Sequence, residues 1–245
     1  MSTKWMDIKE RKDRILGYAI DQYIKTVSPV SSQCIAKLYK VDLSSATIRN
    51  ILADLEDSGY LTHPHTSAGR IPTEKGYRYY VDNLMQEIHL LEEEKTRIKE
   101  EYARESLELE ILLEKTSEVI SEITNYTSII SVEGWGSKII CKGTGYIVNY
   151  PEYNDLTKIK SILEALERKE KLLDIINRDI EDRINIFIGQ EIEVEDIEGC
   201  SLIVSKYDLK DGPSTRVAVL GPTRMNYERV ISMLEYLKEY FLKTI

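Results

Sequence analysis

Residues 44–82 read SSATIRNILADLEDSGYLTHPHTSAGRIPTEKGYRYYVD, and this stretch decides the fold of the first part of the chain. Ser44 stands where an N-cap belongs, immediately before an apolar run at helical spacing. The apolar positions of that run predict one buried helix face, made of Ile48, Ile51, Leu52 and Leu55. Gly59 ends the helix, as a residue in the left-handed conformation does.

The opposite face of this helix has an unusual composition. At 100° per residue it carries two small residues, Ala46 and Ala53, beside Arg49 and Asn50. Small residues allow close approach to another surface, and arginine and asparagine bind guanine and adenine edges bidentately. We therefore expect Arg49 and Asn50 to contact bases in the major groove of DNA. The alternative is an ordinary helix with a solvated arginine.

An extended segment and a loop follow the helix. Residues 60–61 begin the extended segment, residues 63–70 form a loop, and Ile71-Pro72 leads back out. This is the order of a winged helix-turn-helix, with Arg70 at the wing tip, where it would enter the minor groove or hold a phosphate. The other predicted DNA-binding residues are Ser45, Ala46 and Thr47 beside the base contacts, and Ser44, Lys12, Lys75 and Arg78 on the DNA backbone.

Two more helices are predicted before this stretch. Apolar residues at spacings of three and four indicate a helix over residues 8–24, and Pro29 marks the break after it. Ser31 or Ser32 can cap a short second helix over residues 33–39. Three helices with a short turn between the second and third match the helix-turn-helix plan. A fourth helix begins at Thr73, and we expect its tyrosines to pack on the three-helix core.

The net charge of −9 is divided unevenly along the chain. Residues 1–85 hold 12 Lys and Arg against 10 Asp and Glu, a net charge of +2, which leaves −11 on the remainder. Such asymmetry fits one end that faces nucleic acid on an otherwise acidic body.

Several classes of protein find no support in the sequence. The cysteines, Cys34, Cys141 and Cys200, are scattered and odd in number, which argues against a disulfide framework or a zinc site and for a reducing compartment. No catalytic or cofactor-binding motif is present, so we expect no enzyme, no cofactor and no metal. No apolar run has the length of a membrane span and no apolar segment follows the charged start, so we expect a cytoplasmic protein without a membrane partner.

A heptad pattern runs through the middle of the chain, from Leu84 to Ile123, with acidic outer positions. It predicts a long helix with a seam for a second subunit. The predicted dimer-interface residues are Leu84, Ile88, Leu91, Ile98, Leu109 and Leu112. Two helices that break near residues 105–106 and pack on the chain's own core would give a similar stripe.

The C-terminal half alternates strand-like and helical patterns. Strands are predicted within residues 126–132, 138–148, 184–188, 200–207 and 216–220, and helices over 156–176 and 226–242. The fold class is therefore α+β. The turn Gly221-Pro222-Thr223-Arg224 could bind an anion at the start of the last helix, or it could be a tight turn in which Arg224 pairs with an acidic neighbour.

The chain resembles the HrcA family of heat-inducible transcription repressors in three runs of sequence. They are HTSAGRIPTEKGYRYYVD from His65, GPTRMNYERVISMLEYL over residues 221–237 and, more loosely, YNDLTKIKSILEALERKEKLLDII over residues 153–176. The resemblance implies a winged-helix DNA-binding domain, which we place at residues 1–83, followed by a GAF-like regulatory domain, which we place at 125–245. The heptad segment between them predicts a helical linker over 84–124.

The same resemblance implies partners. They are double-stranded DNA with an inverted-repeat operator upstream of chaperone operons, a second copy of the chain, and a GroEL-type chaperonin. Typical members carry a dimerisation domain inserted into the GAF-like domain, whereas the path from residue 126 to residue 146 is short here. The expected GAF-like domain is therefore reduced.

The function predicted from these features is sequence-specific repression of heat-shock chaperone operons, relieved by heat. The alternative is an acidic coiled-coil scaffold or a chaperonin-interacting protein that binds no DNA.

Overall fold

A computed structural model describes residues 8–41, 43–64, 69–85, 92–102, 109–153, 155–178, 184–208 and 213–244. The chain forms two compact units, Met1–Gln86 and Glu87–Ile245. The helices predicted as a separate linker over residues 84–124 fall within the second unit. In the described ranges, no helix combines the length and the apolar character needed to cross a membrane.

The first unit is a three-helix bundle followed by a small hairpin and a fourth helix. Its elements are α1 (Ile8–Thr26), α2 (Ser32–Leu38), α3 (Ser45–Asp57), β1 (Leu61–Thr62), β2 (Ile71–Pro72) and α4 (Glu74–Tyr79), which continues as a π-helical turn (Tyr80–Leu84). Strands β1 and β2 pair antiparallel, with Leu61 opposite Pro72. The order is that of a winged helix-turn-helix, as the sequence predicts.

The core of this unit lies where the three helices meet. Its fully buried side chains include Ile15, Leu16, Ile20, Ile35, Ile48 and Leu52. The tyrosines of the fourth helix pack against it, since Tyr77 and Tyr80 are buried and the Tyr80 hydroxyl donates to Asp21 at 2.9 Å. Tyr79 donates to Asp13 at 2.9 Å, and burial together with that carboxylate raises the pKa of Tyr79 to about 12. The predicted packing of these aromatic residues is confirmed.

In its described residues, the second unit combines five strands and five longer helices. They are α5 (Glu92–Tyr102), α6 (Leu109–Thr124), β3 (Thr127–Val132), β4 (Ile139–Lys142), α7 (Leu156–Arg168), α8 (Glu170–Ile176), β5 (Asn185–Ile188), β6 (Cys200–Asp208), β7 (Ser214–Pro222) and α9 (Tyr227–Thr244). Short 3-10 helices cover Thr144–Asn149, Pro151–Tyr153, Gly189–Ile192 and Glu195–Ile197.

The strands form one antiparallel sheet in the order β4-β3-β7-β6-β5. The central strand β7 pairs with both neighbours, so that Ala218 stands opposite Ile129 of β3 and Val204 of β6. The predicted pairing of the strands within residues 200–207 and 216–220 is confirmed. With helices and an antiparallel sheet in one unit, the α+β fold class is confirmed as well.

Helices cover both faces of the sheet. On one face, Ile129, Leu202 and Ala218 pack with apolar residues of α7 and α8 such as Ile162 and Leu172. On the other face, α6 contacts β3 through Ser117, whose hydroxyl donates to the Ser128 carbonyl at 3.3 Å, and α9 contacts β6, where the Tyr207 hydroxyl donates to the Leu234 carbonyl at 2.8 Å. Side chains alternate between the faces along each strand, which lets one sheet serve two apolar layers.

Two predicted elements of the C-terminal half are shorter than the sequence indicates. The strand within residues 138–148 ends at Lys142, because Gly143 has φ +78° and the following residues turn into a 3-10 helix. A Cβ at Gly143 would lie 2.6 Å from Ser121 Cβ, so this turn requires glycine. The helix over residues 156–176 divides at Lys169, whose φ of 51° breaks the α conformation between α7 and α8.

The connection between strands β3 and β4 is short. Residues 133–138 alone join β3 to β4, and the Trp135 amide donates to the Val132 carbonyl at 3.1 Å to close the turn. This short hairpin stands where the family resemblance implies an inserted domain.

The residues of the predicted dimer seam occupy different environments. Ile98 is fully buried within its own chain, so its burial needs no second subunit. Leu84, Leu109 and Leu112 are half-buried. Ile88 and Leu91 lie outside the described residues, as does the segment 103–108 that would decide between one helix and two.

Gly76 generates a prediction about the stability of the first unit. A Cβ at this position would collide with the Tyr60 carbonyl oxygen, whereas a Cβ at Gly17 of α1 would meet nothing within 4 Å. We expect Gly76→Ala to lower the free energy of unfolding of this unit by about 1–3 kcal/mol, because the backbone must shift to relieve the overlap. The control, Gly17→Ala, should raise it by up to about 1 kcal/mol, as alanine does in a helix.

Amide hydrogen exchange of α1 and α3, followed by mass spectrometry in the full-length protein, measures this unit separately from the other. Equal protection in the two variants would show that α4 does not pack against Tyr60 as described.

Candidate nucleic-acid interface

Helix α3 is capped at both ends by the residues that the sequence indicates. The Ser44 hydroxyl accepts a hydrogen bond from the Thr47 amide at 3.0 Å, with Ser44 in an extended conformation. At the other end Gly59 has φ +77°, its amide donates to Glu56 at 2.8 Å, and the Tyr60 amide donates to Leu55 at 2.9 Å. This pair of bonds is a Schellman motif, which satisfies carbonyl groups of the last turn.

The start of α3 is tied to the start of α2. The Ser31 hydroxyl accepts from the Cys34 amide at 3.2 Å and so caps α2. Ser32 and Ser45, the first residues of the two helices, share a hydrogen bond between their hydroxyls at 3.1 Å. The two N-termini therefore lie side by side, as they do in helix-turn-helix domains, where the second helix enters the major groove.

The predicted DNA-binding face of α3 is open to solvent. Ala46, Thr47, Arg49 and Asn50 are exposed, whereas Ser45 is half-buried by its bond to α2. The side chains of Arg49 and Asn50 make no hydrogen bond or ion pair with another described residue. Their polar groups are therefore available for an external partner. Contact with bases stays a prediction.

Two of the three cations assigned to the DNA backbone form ion pairs inside the unit. Lys12 Nζ lies 2.9 Å from Asp54 Oδ2 and ties α1 to α3. Arg78 Nη1 lies 3.4 Å from Asp82 Oδ1, one turn further along the chain. Each pair is partly exposed, so each cation could still approach a phosphate at the edge of a DNA surface.

Lys75 has a structural contact that the sequence does not suggest. Its Nζ donates to the Ser58 carbonyl at 2.8 Å and lies 4.7 Å from the centre of the Tyr60 ring. A cation at the C-terminal end of α3 also complements the helix dipole there. Lys75 therefore holds α3 against the strand that follows it.

The structure places Arg70 at the base of the wing loop, not at its tip. Its main-chain amide and carbonyl both bond to Val30, at 2.9 and 2.8 Å, directly before β2. Its guanidinium donates two hydrogen bonds to Glu56 Oε2, from Nε at 3.1 Å and from Nη2 at 2.9 Å. The predicted tip position is wrong, because Arg70 directly precedes β2 and its main chain is paired with Val30.

Glu56 is the residue of this surface that sequence reasoning missed. Its carboxylate accepts from Arg70 and also bonds to Nδ1 of His63, at the other flank of the loop. Partial burial would raise the pKa of Glu56, but the hydrogen bonds from His63 and Arg70 outweigh burial and lower the pKa. The group is therefore ionised at neutral pH, and the tie is lost as the pH falls through that lowered value. The sequence does place Glu56 seven residues, or two helical turns, after Arg49, and this spacing indicates that the two side chains lie on the same side of α3.

The second unit offers no comparable surface at the turn Gly221-Arg224. Arg224 forms an ion pair with Glu152, and the Tyr126 hydroxyl accepts from the Asn226 amide at 2.9 Å. A Cβ at Gly221 would lie 2.8 Å from Tyr126 Cδ1. The alternative of a tight structural turn is confirmed. Across the described ranges, histidine, cysteine and acidic side chains form no group of three or more that could hold a metal ion.

Comparisons with known proteins agree with this architecture. Residues 132–231 match the family model described as HrcA protein C terminal domain. A curated relative from Brevibacillus brevis, named heat-inducible transcription repressor HrcA, is 31% identical over 330 aligned positions that cover 95% of this chain and 96% of the relative. A relative of the same name from Moorella thermoacetica is 30% identical, with 98% of each chain covered.

The alignments are longer than this chain of 245 residues, so the relatives carry internal residues that it lacks. A solved structure described as a hypothetical protein at 2.2 Å resolution has the same fold, with a TM-score of 0.72 and 19% identity over 98% of this chain and 100% of the other. The nearly full-length matches to the curated relatives decide the classification: the chain belongs to the HrcA family of heat-inducible transcription repressors.

Proposed function

We propose that this protein is a sequence-specific, DNA-binding repressor of heat-shock chaperone genes. Membership of the HrcA family supports the biological role. The observation that supports the DNA-binding mode is the face of α3, where Arg49 and Asn50 are exposed and without a described partner beside small residues.

The α3 face has the chemistry of a base-contacting surface. A guanidinium matches O6 and N7 of guanine, and a carboxamide matches N6 and N7 of adenine. Arg49 and Asn50 are about 100° apart around the helix axis, and both are exposed on the side opposite the buried Ile48 and Leu52. Ala46 precedes Arg49 by one turn, and its side chain is too small to hold the helix away. The face therefore suits the floor of the major groove.

The charged residues around α3 would set its position on the duplex. Lys12 bonds to Asp54 of α3, Lys75 bonds to Ser58 at the end of α3, and Arg78 lies on α4, where it pairs with Asp82. Contacts of this kind neutralise phosphates and carry no sequence information. The −11 charge of residues 86–245 would repel DNA from other parts of the protein and favour approach through the first unit.

Repression would be steric, through occupancy of an inverted-repeat operator by a homodimer. A two-fold symmetric protein presents two identical helices, and an inverted repeat presents two identical half-sites. Heat would relieve repression because the repressor loses its DNA-binding fold.

The first test replaces Arg49 with alanine. We expect Arg49→Ala to weaken binding to the specific duplex by about 1–3 kcal/mol and to leave binding to random duplex almost unchanged. The specific duplex is obtained by selection from random sequences with the wild-type protein, and affinities are measured at several salt concentrations. The control, Arg168→Ala in α7, removes an equal charge from the other unit.

Two outcomes would contradict this proposal. Equal losses on both duplexes would make Arg49 a phosphate contact rather than a base contact. A wild-type protein that selects no consensus and whose affinity does not fall with salt would favour the scaffold alternative, because each neutralised phosphate contributes a slope of about −0.9 in log K against log salt.

The second test concerns the homodimer, for which we propose a seam formed by Leu84, Ile88, Leu91, Leu109 and Leu112. Ile98 is left out of this seam because its own chain buries it completely. In α6, Leu109 and Leu112 are half-buried and keep surface that a partner could cover. We expect a Leu109→Asp, Leu112→Asp double variant to sediment as a monomer, because two carboxylates in an apolar seam cost more than the contact contributes.

The matched control is Ile111→Asp, which alters a residue of the same helix that is 43% exposed and is not one of the proposed seam residues. It should remain a dimer. A double variant that stays folded and dimeric would remove the seam from the interface, and circular dichroism reports whether the fold is kept.

We also propose that a GroEL-type chaperonin assists formation of the active repressor. The test refolds the denatured full-length protein with chaperonin and ATP and counts the fraction that binds the selected duplex. We expect a larger active fraction than with chaperonin alone. Equal fractions with and without ATP would exclude the chaperonin as a folding partner.

A further inference from the structure

We propose that Glu56 is a positioning residue for DNA recognition, whose carboxylate holds both flanks of the wing loop against the last turn of α3. The inference rests on the proposed function, and it adds to it the means by which the wing keeps a fixed place relative to the base-contacting face. Glu56 need not touch DNA in this role.

Glu56 lies on the same side of α3 as Arg49. The two residues are seven positions apart, which is two helical turns with a drift of about 20°. Ala53 lies between them on the same stripe. The carboxylate therefore stands at the far end of the DNA-binding face, next to the point where the wing begins.

Both flanks of the loop converge on this one carboxylate. His63 follows β1 directly, and Arg70 precedes β2 directly. His63 bonds to Oε1 of Glu56, and Arg70 bonds to Oε2. The wing is thus attached to α3 by side chains from each flank, in addition to the main-chain bonds between Arg70 and Val30.

The attachment is partly shielded from water. The side chains of Glu56 and Arg70 are each 22% exposed, and the guanidinium makes two charge-assisted hydrogen bonds to one oxygen. Such bonds are short and directional, so they restrict where the guanidinium can lie. Wing position and α3 position are therefore coupled through Glu56.

The negative charge of Glu56 and its contacts to the wing have opposite effects on DNA affinity, so the two effects can be measured separately. A carboxylate on a DNA-facing stripe repels phosphates, so its removal alone would strengthen binding to every duplex. Loss of the wing's fixed position would weaken binding only where the wing and α3 must fit one operator together. A positioning residue therefore changes the ratio of specific to random affinity.

The experiment compares Glu56→Gln with Asp57→Asn in the full-length protein. Asp57 is the next residue of α3, and its exposed side chain makes no hydrogen bond or ion pair with another described residue. Asp57→Asn therefore removes the same charge without removing a contact to the wing. We expect Glu56→Gln to lower affinity for the selected duplex about tenfold and to leave affinity for random duplex unchanged or higher. Asp57→Asn should shift both affinities together and keep their ratio.

Two results would overturn the proposal. If Glu56→Gln strengthens binding to both duplexes as Asp57→Asn does, Glu56 acts through its charge alone. If Glu56→Gln weakens binding to both duplexes equally and also lowers hydrogen-exchange protection of α1 and α3, its role is general stability.

A second measurement needs no DNA and separates this inference from the proposed function. Trypsin cleaves after Arg70 only when the guanidinium leaves Glu56 and the main chain leaves Val30. We expect Glu56→Gln to accelerate cleavage of the Arg70–Ile71 bond at least fivefold relative to cleavage after Arg168, and Asp57→Asn to have no effect. Equal rates of cleavage after Arg70 in all three proteins would show that Glu56 does not hold the wing to α3. Failure of the wild-type protein to select a duplex would contradict only the proposed DNA-binding function.

Discussion

The first unit depends on the main-chain junction at Tyr60. The Tyr60 amide closes the Schellman motif of α3, and its carbonyl accepts from the amide and the hydroxyl of Thr73, both at 3.1 Å. Thr73 in turn caps α4, and Gly76 of that helix passes so close to the same carbonyl that no side chain fits. The main chain of one residue thus joins the end of α3, the start of the wing and the fourth helix. The direction of α3 follows from this junction.

Features that depend on a few consecutive residues could be predicted from the sequence. The N-cap at Ser44, the left-handed Gly59 and the apolar face of α3 are local, and the structure has all three. Partners from distant parts of the chain could not be predicted. Arg70 meets Glu56 only because the wing folds back, and Lys75 meets Ser58 only because α4 packs beside α3. The sequence therefore gives no sign of a partner for Arg70 or Lys75, and both are engaged in the fold.

The second unit shows the same division between local and non-local information. Helix α7 and strands β6 and β7 follow from periodicity, whereas the early end of β4 at Lys142 follows from the approach of Ser121 to Gly143. The sheet closes its first hairpin with residues 133–138 and still buries apolar side chains on both faces. A complete α+β core therefore forms without the internal residues that the longer relatives possess.

The double main-chain bond between Arg70 and Val30 has a consequence for how this family can change. Together with the pairing of Thr62 and Ile71, it fixes the two ends of the wing loop independently of the residues between them. Insertions, deletions and substitutions within the loop can then accumulate without displacing α3 or its caps. Minor-groove width and flexibility vary with DNA sequence. Under the proposed mode of DNA binding, the wing can therefore evolve toward a new flanking sequence while the bases that α3 contacts stay the same.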